Sequence, residues 1–111
     1  MSLVLVKTNG ETETVDLGGL GVTDVAGISY RNGRFVVVSD ESREVVSFNL
    51  VSFGGPLGAL VTDRFSLEFN GDFFGQAEGV FLAEDDRLYV VGETGGGAGA
   101  GSLSFALWLE E

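Results

Sequence analysis

The residues with the most chemical capacity in this 111-residue chain are acids that recur at nearly the same interval. Asp24 and Glu78 lie 54 positions apart, and Asp40 and Glu93 lie 53 apart. Glu41 and Arg43 come directly after Asp40 in the same short stretch. Carboxylates gathered in this way suit a hard cation such as calcium, which takes about 6–8 oxygen ligands. The same acids can instead accept backbone N–H bonds and close turns, as buried carboxylates commonly do. Arg43 adds a group able to recognise a carboxylate or phosphate. Histidine and cysteine are both absent. Their absence excludes Ser-His-Asp chemistry, the usual zinc and iron sites and any disulfide framework. The chain carries 17 Asp and Glu against 6 Lys and Arg, a net charge of −11. Such a balance predicts an acidic, self-repelling surface. It provides no basic stripe to neutralise phosphates, which disfavours nucleic acid as a partner.

Other segments that invite a chemical reading have plainer ones. The run 95–101 contains five glycines and two alanines. A phosphate-binding loop would need a helix and a Lys-Ser/Thr pair immediately after it. The next segment is instead LSFALWL (103–109), which reads as a strand and has no lysine. The glycine run is therefore expected to be a loop between strands. Phe105 and Trp108 on that strand suit packing between sheets, with carbohydrate stacking on Trp108 as the alternative. Arg34 and Arg87 are expected to pair with nearby surface acids, an effect of about 0–1 kcal/mol.

The elements that must position these residues come from an internal repeat. AGISYRNGRFVVVSD (26–40) returns as EGVFLAEDDRLYVVGE (78–93), with Gly27 matching Gly79 and Arg34 matching Arg87. Upstream, Val15-Asp16-Leu17 matches Leu67-Glu68-Phe69. Helical periodicity is absent, and strands are predicted at about 3–7, 11–17, 26–31, 34–39, 44–51, 60–69, 78–83, 87–92 and 102–109. Asn9-Gly10 and Asn32-Gly33 mark hairpin turns, with Asp85-Asp86 in the corresponding place of the second repeat. The apolar runs 35–39 and 88–92 are expected to be buried on both faces. A β-rich repeat of this length is what a propeller blade looks like in sequence.

The predicted fold is all-β: one domain, residues 1–111, of two four-stranded propeller blades at about 18–69 and 70–109. Strands A to D of the first blade are 26–31, 34–39, 44–51 and 60–69. The second blade has A, B and C at 78–83, 87–92 and 102–109, and 11–17 is expected to complete it as the D strand. Strand 3–7 is left over. A small closed sandwich with two related halves is the alternative. In the propeller, an A-strand start and a B-strand end share one rim, which would bring Asp24 or Glu78 beside Asp40 or Glu93. Gly27 and Gly79 would sit where backbones crowd around the axis.

These motifs resemble a known group. The stretches are Asp24-Val25-Ala26-Gly27-Ile28-Ser29-Tyr30, Ser39-Asp40-Glu41, Glu78-Gly79-Val80 and Gly92-Glu93. Over about residues 20–93 they resemble the bacterial SdiA-regulated propeller-like proteins and, more loosely, the esterase-like phytase family. The resemblance implies a β-propeller. It departs from the pattern in having about two blades where the family carries about six, and in having Gln76 where an acid is frequent. The looser likeness implies a metal-dependent phosphoesterase using Asp40, Glu78 and Glu93, with calcium as the cofactor. The chain has no Lys or His cluster for phosphate and no evident nucleophile, which favours a non-catalytic binding or structural module over an enzyme.

Two blades cannot close a propeller, which needs about 4–8. The chain is therefore expected to complete itself as a homo-oligomer, a trimer giving six blades, and to present rim loops to a small-molecule or protein ligand. No apolar run approaches the roughly 20 residues of a spanning helix. The N-terminus lacks a basic segment and a small-residue cleavage site. The expectation is a soluble chain with no membrane partner, cytoplasmic by default.

Overall fold

The computed structural model describes residues 1–52, 54–69, 72–73, 77–85, 87–93 and 103–109, and among these the side chains of 68, 69, 72, 73, 93 and 103–109 are not described. The chain is all-β. Its strands are β1 (Ser2–Val6), β2 (Thr12–Asp16), β3 (Gly27–Arg31), β4 (Arg34–Ser39), β5 (Glu44–Ser52), β6 (Leu57–Ser66), β7 (Glu68–Phe69), β8 (Asp72–Phe73), β9 (Ala77–Leu82), β10 (Arg87–Glu93) and β11 (Leu103–Leu109). One 3-10 turn, Gly18–Leu20, links β2 towards β3. Among the described residues no helix is long and apolar enough to cross a membrane.

Turn chemistry sets the hairpins. Asn32 (φ 50°) and Gly33 (φ 83°) both occupy the left-handed region, as a two-residue type I′ turn requires. That turn fixes the β3–β4 register, with Arg31 opposite Arg34 and Gly27 opposite Val38. At the β1–β2 hairpin, Gly10 takes φ 90° and its N–H donates to the Lys7 carbonyl at 2.9 Å.

The first sheet has six strands in the order β1-β2-β6-β5-β4-β3 and curls into a half-barrel. Four of them, β3 to β6, form an antiparallel meander in chain order. A second sheet runs β11-β10-β9, and β7 pairs with β8 in a short ribbon. β2 joins β6 through a single parallel pair, Asp16 with Gly58. The segment 11–17 therefore lies on the first sheet, between β1 and β6. The driving force is apolar: Val15 and Leu17 are buried with Leu20, Val37, Val46 and Phe48.

That cluster covers one face of the first sheet. The opposite face packs on the second sheet, with Val36, Val38 and Val45 against Leu82, Leu88 and Val90 and with Leu67 and Ala77 enclosed. Alternation along β4 explains its unbroken apolar run. Val36 and Val38 enter one cluster and Val37 the other, so the strand is buried on both faces. β10 differs from the expectation. Leu88 and Val90 are buried, but Tyr89 is exposed and Val91 only half-buried. Among the described residues the first sheet packs against the Leu88 and Val90 face alone.

Candidate functional site

Three of the predicted acids, Asp24, Asp40 and Glu41, gather at the turn after β4. Residues 40–43 form a tight turn in which the Arg43 N–H donates to the Asp40 carbonyl at 3.3 Å and Arg43 takes φ 53°. Asp24, in the segment before β3, reaches this turn. Its Oδ1 accepts the Ser39 hydroxyl and the Glu41 N–H, the latter at 3.1 Å. Ser39, fully buried, accepts in turn from the Ser42 N–H at 3.1 Å. The Thr23 N–H donates to the Ser42 hydroxyl at 3.0 Å. The start of β3 and the end of β4 thus share one rim and are joined through a carboxylate.

Asp40 does a different job. Its Oδ1 accepts the N–H of Ala77, the first residue of β9, at 3.1 Å. One carboxylate therefore ties the end of a B strand to the start of the next repeat's A strand. The Arg43 carbonyl adds a further tie, accepting from the Leu67 N–H at 2.8 Å. Charge-assisted bonds such as the one from Ala77 to Asp40 contribute about 1.5–3 kcal/mol each when the donor would otherwise be buried and orphaned.

The remaining candidates are less engaged with this network. The Glu41 and Glu78 side chains are exposed. The Glu93 side chain, Gln76, Asp86, the loop 95–101 and the side chains of Phe105 and Trp108 lie outside the described residues. Among the described residues no three of Asp, Glu, His and Cys converge as a metal site would require. Beside the turn lies a polar cleft of about 310 Å³ lined by Ser42, Arg43, Glu44, Arg64, Phe65 and Ser66. Arg64 is committed there: one nitrogen pairs with Glu44 at 2.9 Å and the other donates to the Leu20 carbonyl.

Three of these participants escaped sequence reasoning. Ser39 sits in the Ser-Asp motif and carried a signal that was read only through its neighbour. Ser42 and Arg64 carried none, because their partners are 19 and 44 residues away.

The family model for SdiA-regulated proteins matches residues 5–95, most of the chain and all of the rim network. The chain belongs to the SdiA-regulated family. That family is associated with phytase-like β-propellers. No curated protein and no solved structure matches the chain.

Two further features of this SdiA-regulated chain concern the paired glycines and arginines. A Cβ built on Gly27 would lie 3.0 Å from the Gly79 Cα and 3.3 Å from both the Glu78 oxygen and the Val80 nitrogen. Gly27 is therefore glycine because β9 passes directly against β3. At Gly79 a Cβ would meet, among the described residues, Val91 Cγ1 at 3.9 Å. Among the described residues the backbone crowding expected of both glycines is found at Gly27. Arg34 pairs with Asp63 at 3.6 Å and donates to the Ser47 hydroxyl at 2.6 Å, and Arg87 pairs with Asp85 at 3.0 Å.

Proposed function

We propose that this chain is a two-blade portion of a β-propeller and serves as a non-catalytic binding or structural module. Copies complete it into a ring, three of them giving about six blades, and the rim loops face a small-molecule or protein ligand. One observation carries the reading. The meander β3–β6 packs face to face on the sheet that comes after it, and the two equivalent strand starts touch at Gly27 and Gly79. Equivalent backbones meeting at equivalent positions is the relation a rotation about a nearby axis produces.

The rim network supports the non-catalytic half of the reading. Asp24 and Asp40 each spend an oxygen on backbone donors, and Asp40 spends it between repeats. A carboxylate used in this way is a joint between blades before it is a reagent. Light scattering across a concentration series tests the proposal. Assembly at micromolar concentration supports it, and a stably folded monomer there refutes it.

A further inference from the structure

Asn-Gly stands at the tips of two hairpins, and the fold holds the two very differently. Asn9-Gly10 turns β1 onto β2, and Asn32-Gly33 turns β3 onto β4. All four residues are exposed. A third such pair, Asn70-Gly71, lies outside the described residues. An asparagine before glycine can react with its own backbone, because no Cβ on the glycine obstructs the approach of its nitrogen. Ring closure swings the side-chain Cγ towards the plane of the following peptide, so the turn must open first. With the same dipeptide in both places, the cost of that local opening decides which one reacts. At Asn32 the cost is high. The residue is held at φ 50° in the turn that sets the β3–β4 register. The rings of Tyr30 and Phe35 meet beside this turn at 4.6 Å, and Val36 and Val38 of β4 lie in the core between the sheets. At Asn9 the left-handed position is taken by Gly10 (φ 90°), and Asn9 keeps a negative φ. β1 is the edge strand of its sheet. The tip is tied by two backbone bonds, Lys7 N–H to the Glu11 carbonyl at 2.8 Å and Gly10 N–H to the Lys7 carbonyl at 2.9 Å. The Lys7–Glu11 ion pair at 3.5 Å has both side chains more than half exposed, and such pairs hold little.

We propose that Asn9 is a site of spontaneous deamidation in the folded protein, and that Asn32, in the same dipeptide, is protected by its turn. A second feature of Asn9 favours the reaction. Its Oδ1 accepts the Glu11 N–H at 2.9 Å. That bond holds the side-chain amide over the backbone it must meet, and it puts a donor on the oxygen that gains negative charge as the ring closes. The step needs only hydroxide and water. The Gly10 nitrogen loses its proton to hydroxide and forms a bond to Cγ of Asn9. The Cγ–Nδ2 bond then breaks, and Nδ2 takes up a proton and leaves as ammonia. One water opens the resulting five-membered imide at either carbonyl, giving aspartate or isoaspartate. Each event adds a negative charge close in sequence to Glu11 and Glu13, in a chain already at −11. The isoaspartate product also routes the main chain through Cβ. It lengthens the backbone by one carbon between Lys7 and Glu11, whose hydrogen bond closes the hairpin.

Peptide mapping of the intact chain, aged at physiological temperature and mildly alkaline pH, tests this. Trypsin releases residues 8–31, in which Asn9 is the one asparagine, and chymotrypsin releases residues 31–35, which carry Asn32. Mass spectrometry should find the amide-to-acid conversion in 8–31 at least about tenfold faster than in 31–35. The converted 8–31 peptide should contain isoaspartate, the mark of the imide route. In urea, where neither turn exists, the two rates should converge. Conversion of Asn32 as fast as Asn9 in the folded chain overturns the proposal. So does a folded chain whose Asn9 stays intact for as long as Asn32 does. A rate gap that persists in urea would assign the difference to flanking residues and remove the role of the fold. Aspartate without isoaspartate would replace ring closure by direct hydrolysis and remove the role of the Gly10 nitrogen.

Discussion

Replacing Gly27 offers a direct test of the axial contact, because its cost can be worked out from distances. A methyl group there would sit 3.0 Å from the Gly79 Cα and 3.3 Å from two further backbone atoms. Carbon atoms reach their best separation at about 3.5–4.0 Å, so β3 and β9 must part by roughly half an ångström or more. None of the crowding atoms is a side-chain end that can swing aside. A gap of about 0.5–1 Å forfeits a quarter to a half of the dispersion energy across it. The atoms affected belong to the buried set Val36, Val38, Leu82, Leu88 and Val90. Overpacking of this kind costs about 1–3 kcal/mol. Against it, loss of glycine from the unfolded chain returns about 0.4–1 kcal/mol. The net expectation for Gly27→Ala is a loss of about 1–2 kcal/mol. For Gly27→Val, with two more carbons, it exceeds about 2 kcal/mol. Urea denaturation at several protein concentrations measures this. A near-neutral Gly27→Val would place β3 and β9 further apart than described and remove the axial contact.

Other expectations concern the rim and the termini. Asp40→Ala orphans the buried Ala77 N–H and should cost about 1–3 kcal/mol in thermal melts, whereas Asp40→Asn, which keeps an acceptor oxygen, should cost less. Millimolar calcium should leave the melting temperature unchanged. A rise that disappears in the Asp40→Asn, Glu93→Gln double variant would instead establish a cation site, since a ligand bound to the native state stabilises it by mass action. A phosphoesterase screen would then be warranted. Deleting residues 1–17 strips Val15 and Leu17 from Phe48 and Val46, each worth about 1.5–3 kcal/mol of burial. The shortened chain should aggregate, and recovery of an oligomer with an unchanged melting temperature would show the hairpin to be dispensable. Because each copy carries a net charge of −11, raising the salt concentration should strengthen assembly by screening repulsion between copies. Weaker assembly at high salt would point to ion pairs at the interface.

The strand pattern was legible because its causes are local. Asn32-Gly33 names its own turn, the alternation in β4 and β5 names their faces, and the repeat aligns β9 with β3. The rim could be read as a place where Asp24 and Asp40 meet, because the two ends of an antiparallel hairpin must lie together. Long-range detail was not legible. Nothing in Asp40 indicates that its partner is the Ala77 N–H, 37 residues on. The segment 11–17 matched a D strand by repeat, yet its apolar residues settle on the rear face of the first sheet, because burial with Phe48 is available within the chain. β10 looked buried on both sides, since sequence reports the apolar character of Tyr89 and Val91 but not whether a neighbour exists to cover them.

Native mass spectrometry bears most directly on the central claim, that two repeats per chain turn about one axis and close on copies of themselves. The account predicts a single closed species of three copies, with neither a ladder of sizes nor a large monomer population at micromolar concentration. A folded monomer would contradict it outright, and an open series of dimers, tetramers and longer chains would show that the repeats stack without closing a ring.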